Sequence, residues 1–293
     1  MRYSDTYANG MSNHLPMALL AIRRLGATED RVREFESFYA RRLRPMSAEE
    51  AADADRLAAE LARDGREAFL HNHVARLTPG IGSAAFHGVI RTAYAVDTDD
   101  LADAVASWQR HYAVIPSVSE GPGRAAGELF ETIQHDDRFA TPFEGTSIVA
   151  RMDKVVAMPA FHEYAMKTPT LPELTRIAVK IYLATRDFTA LHLVTGCHAA
   201  RVLTPYLAPD ALDHLAIAML AGYITIGRPA FDVATFDAPE WDTLAKLAIA
   251  SNDDHDLKMV YSCREEDAAY GWGLHRMAAA LRLKASASAS PDR

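Results

Sequence analysis

Apolar residues recur at helical spacing along almost the whole chain. Leu15, Leu19, Ile22 and Leu25 fall three and four residues apart and Gly26 follows as a stop, which predicts a helix from Leu15 to Leu25. Segment 48–63 is rich in alanine, with a mixed-charge face, and reads as helix by propensity. Segment 66–77 is amphipathic and ends at Thr78-Pro79-Gly80; 82–96 carries small and apolar residues on several faces, the pattern of a buried helix. Thr170 caps a helix with Pro172 in its first turn, running to about Thr185. Further helices are predicted over 188–203, from about Pro209 to Ile226, and from Pro239 to Ala250. Ser251-Asn252-Asp253-Asp254 caps another, with acidic residues at the positive end of its dipole. The last covers about 266–283, either continuing from it or set off by a kink at Gly271-Trp272-Gly273. Pro116 to Gly123 and Pro142 to Gly145 punctuate strongly, so the least regular stretch is placed between about 114 and 146, where loops would cover a site. Period-two alternation and fixed-length repeats are both missing. The expectation is an all-α protein of about a dozen helices in a single large domain, 1–283, around a central metal or substrate cavity. The Ala-Ser run after it, 284–293, reads as a disordered tail.

Composition narrows the function. With 293 residues, 49% of them hydrophobic, the chain buries a large core. A net charge of −8 argues against nucleic acid, whose phosphates need clustered cations. Cys197 and Cys263 lack CxxC spacing, so buried thiols in a reducing compartment are expected. The N-terminus has no apolar signal-like region, and the longest apolar run, Leu215 to Ile226, is shorter than the roughly 20 residues of a bilayer span. The expectation is a cytoplasmic protein without a membrane partner; homodimerisation stays open.

Candidate chemistry lies in the histidines. His14, His87, His192 and His255 sit at or inside separate helical segments. His192 lies where the helix is apolar or small almost all round, so it is expected to be buried, and a buried imidazole needs partners on both nitrogens. His255 and Lys258, three apart, share a helix face. A buried lysine is pushed toward its neutral amine, which takes up carbon dioxide to give a carbamate suited to a divalent metal; the alternative is a solvated Lys258 paired with Asp254. For each histidine, the alternative is a hydrogen-bonded core residue. His198, about 240° round the helix from His192, is expected to be structural or in an outer layer, and His71 and His73 to be on the surface or rim. Arg91, one turn after His87, is a candidate to orient a phenolate or carbonyl; its alternative is an ordinary ion pair. Gly121 to Gly127 only faintly matches a dinucleotide fingerprint, with no strand before it and the wrong third-glycine spacing.

Taken in order, Asn13-His14-Leu15-Pro16-Met17, Ser83 to Arg91, Phe188 to Thr195 and Asn252 to Lys258 resemble the questin oxidase family over most of the chain. The resemblance implies a helical fold, oxidative opening of an anthraquinone-type ring with molecular oxygen, and non-haem iron, Fe(2+). It also implies the ligands: four histidines and a carboxylated lysine, matched here by His14, His87, His192, His255 and Lys258. The partners implied are a small aromatic substrate and O2. Phe86, Tyr94, Phe143, Phe188 and Trp272 are candidate pocket walls. Two other readings stay open: an NADPH-dependent Baeyer–Villiger-type monooxygenase without bound metal, and a non-catalytic helical binding protein.

Overall fold

The computed structural model describes residues 2–116, 124–140, 142–164 and 169–288. Fourteen helices run through them: α1 Leu15–Arg24, α2 Glu29–Ala40, α3 Ala48–Asp64, α4 Arg66–Leu77, α5 His87–Ala95, α6 Leu101–Arg110, α7 Ala126–Gln134, α8 Ile148–Val156, α9 Leu171–Thr185, α10 Phe188–Leu203, α11 Ala211–Thr225, α12 Trp241–Ala250, α13 Asp254–Tyr270 and α14 Leu274–Ser288. The all-α expectation holds. Strand pairing among the described residues is confined to a hairpin of Thr6–Tyr7 with Met11–Ser12 and one bridge between Tyr3 and Pro45. No helix among them is long and apolar enough to cross a membrane.

Caps set several boundaries, at α9 where the sequence predicts one and at α3 where the sequence reads as helix by propensity alone. Ser47 and Glu50 close a capping box on α3, and Thr170 and Glu173 another on α9. The expected end of the chain resolves into two helices, because Gly271 and Gly273 take positive φ of 66° and 70° and break α13 from α14. Helix α14 runs on to Ser288; residues 289–293 of the expected tail lie outside the described residues, as do Ser117 to Gly123. The irregular stretch expected between 114 and 146 contains α7.

Helix α10 is central. It is buried almost all round and packs on α9, α5, α13 and α11. Its Gly196 lets Phe86 approach, since an added Cβ would lie 3.1 Å from that ring. Gly88 does the same for α5 against α6: a Cβ there would sit 2.3 Å from the Trp108 indole. Cys197 and Cys263 are both buried free thiols.

The clearest departure from the sequence pattern is at 82–86. Ala84, Ala85 and Phe86 all take positive φ, 49°, 54° and 68°, so the predicted helix over 82–96 starts only at His87. Left-handed backbone costs a non-glycine residue roughly 1–2 kcal/mol, and three in succession are held only because the turn is packed: Ala85 and Phe86 are buried in the core. The consequence is positional. His87 becomes the first residue of α5 and turns back onto the carbonyl of Ala84.

Candidate metal centre

The four singled-out histidines meet in space. His14 immediately precedes α1, His87 opens α5, His192 is in the second turn of α10, and His255 is the second residue of α13. Their rings form a closed circuit, with centroids 4.8 Å apart for His14–His87, 4.9 Å for His87–His192, 6.1 Å for His192–His255 and 4.8 Å for His255–His14. Residues 241 positions apart in the chain thus share one polar centre inside the helical core.

Each ring is oriented through its Nδ1. His87 Nδ1 donates to the Ala84 carbonyl at 2.5 Å and His192 Nδ1 to the Phe188 carbonyl at 2.8 Å. His14 Nδ1 donates to Asp254 Oδ2 at 2.6 Å, and His255 Nδ1 to Asp253 Oδ1 at 3.2 Å. Carbonyls and carboxylates only accept, so in the neutral imidazoles Nδ1 carries the hydrogen and Nε2 keeps its lone pair. The Nε2 atoms of His192 and His255 are buried without a hydrogen-bond partner. Those of His14 and His87 face each other at 2.7 Å. Two acceptors so placed need a proton or a cation between them. Anchored Nδ1 and free Nε2 is the arrangement of metal-ligating histidines, whose second nitrogen is held by a carboxylate or carbonyl.

Burial keeps three of the imidazoles, those of His14, His87 and His192, neutral. Burial, then the charge of Lys258, holds His14 well below the usual histidine range and His87 down at about 3. Burial, then His87 and Lys258, does the same for His192. The N-termini of α1, α5 and α13 also point their positive dipole ends here, which opposes protonated imidazole and favours anions. The anion present is Asp254, 5% exposed. Burial opposes its ionisation, but His14 and His255 outweigh that and hold it well below the ordinary carboxylate range. His14, Asp254 and His255 each offer a ligand atom, and these lie within 4.8 Å of one another.

Lys258 is 2% exposed, so the solvated alternative fails; its Nζ lies 4.0 Å from Asp254 Oδ2. Burial pushes its pKa down to about 8. The N-terminal end of α13 that carries Asp254, His255 and Lys258 is clamped to α14: Arg282 bonds Asp256 at 2.6 Å and pairs with Asp253.

The other candidates separate. Of the proposed wall residues, Phe188 lies against the site; it is 45% exposed, and its ring stands edge-on to His192 at 4.8 Å and to His255 at 4.7 Å. Tyr94 backs the site instead, bonding the Lys258 carbonyl at 3.0 Å and Ser262 at 2.7 Å. Trp272 stacks on Tyr270 and His275. His198 is buried on a different partner, Glu266, at 2.7 Å. His73, expected at the surface, is 5% exposed and packs on Phe69, because α4 turns that face inward; His71 is exposed. Arg91 is buried, 5% exposed, with no ion pair or hydrogen bond among the described residues, and lines a cavity of about 10 Å³ beside His87. That is the room of roughly one water, far below the size of a three-ring substrate. Sequence reasoning missed Asp254 as a member of the centre, although its place beside His255 and four before Lys258 puts it on the same face.

Fold and geometry define a class: an all-helical protein with a buried four-histidine centre. A family model described as Questin oxidase-like matches residues 54–263, about seven-tenths of the chain, and the chain belongs to that family. The family's name makes it an oxidoreductase of the oxidase or oxygenase kind. The matched span includes His87, Arg91, His192, His255 and Lys258, while His14 comes from outside it. The chain matches no curated protein.

Proposed function

We propose that the protein is a non-haem iron oxygenase that opens an anthraquinone-type aromatic ring with O2. The observation that carries this reading is the set of four imidazoles, each anchored through Nδ1 and each leaving Nε2 to the shared centre. His14, His87, His192 and His255 hold the iron, a donor set of the borderline nitrogen type that suits it. Bound iron supplies the one-electron chemistry that lets dioxygen react with a closed-shell aromatic ring.

Lys258 completes the set as a carbamate. With a pKa near 8, roughly one molecule in ten carries the neutral amine at pH 7, against fewer than one in a thousand for an ordinary lysine. The amine adds to the carbon of CO2, a proton leaves the nitrogen, and the product is an anion where three helix N-termini favour one. Asp254 and Asp253 hold the His14 and His255 rings in place. Phe188 covers the His192 and His255 edges from solvent and offers an apolar face to a flat substrate.

The test is oxygen uptake by iron-loaded protein with a panel of hydroxyanthraquinones, with and without NADPH, alongside ¹³C NMR after exposure to ¹³CO2. Substrate-dependent uptake and a carbamate resonance absent from Lys258→Ala are expected. NADPH-dependent uptake by metal-free protein would replace this reading with the monooxygenase one.

A further inference from the structure

The cavity beside His87 is lined by Asp5, Ser12, Asn13, Met17, Ala84, Gly88, Arg91, Ser107 and His111 as well as His87 itself. Its unusual member is Arg91. A guanidinium brings five donors and a permanent charge, and buried charges are paired or strongly penalised. Arg91 is 5% exposed, its Nε is buried without an acceptor, and no acid among the described residues reaches ion-pair distance of it. Asp5 is the acid in the same wall, and its Oδ2 is already engaged. Arg110 pairs with Asp5 Oδ2, and His111 Nε2 lies 3.3 Å from that same oxygen. Asp103, farther off, pairs with Arg2 at 2.6 Å. The nearby acids therefore act on Arg91 only at a distance.

Among the other polar side chains of the wall, Asn13, Ser12 and Ser107 can donate. Asn13 Nδ2 gives one hydrogen to the Ser4 carbonyl at 2.8 Å and keeps a second, and its Oδ1 is occupied by the Leu15 amide at 2.9 Å. Ser107 is 8% exposed, with its hydroxyl unassigned to any partner, and Ser12 stands nearer the rim. The space admits one particle of about water size. A neutral water satisfies a donor but leaves the charge; a monoatomic anion satisfies both.

We propose that this cavity is a binding site for a small monovalent anion of halide size, held by the Arg91 guanidinium with Ser107 and Asn13 as further donors. Arg91 then binds this ion rather than a substrate phenolate, which the cavity has no room to admit. The proposal does not depend on iron at the histidine centre.

The probe is bromide, on metal-free protein. Crystals grown in sodium bromide are expected to show an anomalous peak against the Arg91 guanidinium. Bromide is also expected to raise Tm over sodium gluconate at equal ionic strength by roughly 2–4 °C, the shift that about tenfold saturation gives a chain of this size. Arg91→Met removes the difference and Arg91→Lys, which keeps the charge, retains part of it. An ordered water with no bromide peak would overturn the proposal, as would a bromide effect unchanged in Arg91→Met. Should Arg91→Met fail to fold, the wild-type diffraction decides alone. Absence of bromide together with a raised KM for a hydroxyanthraquinone in Arg91→Lys would return Arg91 to substrate binding.

Discussion

Two buried histidine clusters lie along α10 and α13, and they are built to opposite ends. In the first, the rings of His14, His87, His192 and His255 stand together, with the Nε2 atoms of His192 and His255 unpartnered and those of His14 and His87 facing each other. In the second, His198 Nδ1 bonds Glu266 Oε1 at 2.7 Å, and Arg201 Nε bonds the same oxygen at 2.7 Å while the Arg201 side chain remains 30% exposed. That cluster neutralises itself and reaches solvent. Its neighbour His275 is fully buried with neither nitrogen partnered, but it stacks on Trp272 and stands alone. The difference lies in how many rings meet. In the first cluster four rings, each held through Nδ1 by a carbonyl or a carboxylate, stand side by side, whereas in the second a single such ring, His198, shares Glu266 with Arg201, and Glu266 Oε2 is itself buried without a partner. Burial of histidine therefore says little about metal binding, and so does one anchored Nδ1, which His198 also has; the meeting of several anchored rings says more.

Substitutions should split the clusters. The largest effect is expected from His192→Ala, which removes one free Nε2: iron affinity falls by more than ~100-fold, beyond what loss of an outer partner gives, as read by competition with a chelator. Glu266→Gln breaks the charged pair in the other cluster and should cost about 1.5–3 kcal/mol of stability in denaturant unfolding, with metal content unchanged. Asp254→Asn removes the carboxylate behind His14 and should weaken iron binding by ~10–100-fold with the ring still in place. Phe188→Ala uncovers the His192 and His255 edges, and should speed chelator stripping several-fold while changing affinity less than either ligand variant.

The smallest and broadest effect is of pH. Burial pushes His87 down to about 3 and His275 to about 4. Below about 6.5 the unfolded imidazoles take up protons that the folded ones refuse. Stability is therefore full above that pH and is lost progressively as pH falls toward 4 and 3. His275→Gln should remove part of this acid sensitivity in metal-free and iron-loaded protein alike. His87→Gln should remove in addition the further loss that iron shows as protons compete for its ligands. Thermal unfolding across pH 8 to 4 measures both.

Much of this was legible in the sequence, for identifiable reasons. Alanine propensity placed α3 closely, the Thr170 cap placed α9, the apolar span 188–203 matched α10, and the four histidines stood out by context. Three things were not readable. The left-handed turn at Ala84, Ala85 and Phe86 uses residues that carry no turn signal, two of them strong helix formers, so tertiary packing overrides propensity there. Asp254 read as a cap, because its contact with His14 spans 240 residues. His73 looked exposed because neighbours two apart on a helix diverge, yet the divergent face is the buried one.

The central claim is that the first cluster, and not the second, is a metal site. The most direct measurement is iron content of the chain purified without chelator and resupplied with Fe(2+), for wild type, His192→Ala and Glu266→Gln together. The account predicts about one iron per chain in the wild type and in folded Glu266→Gln, and none in His192→Ala. No iron in the wild type, or equal iron in all three, would contradict it.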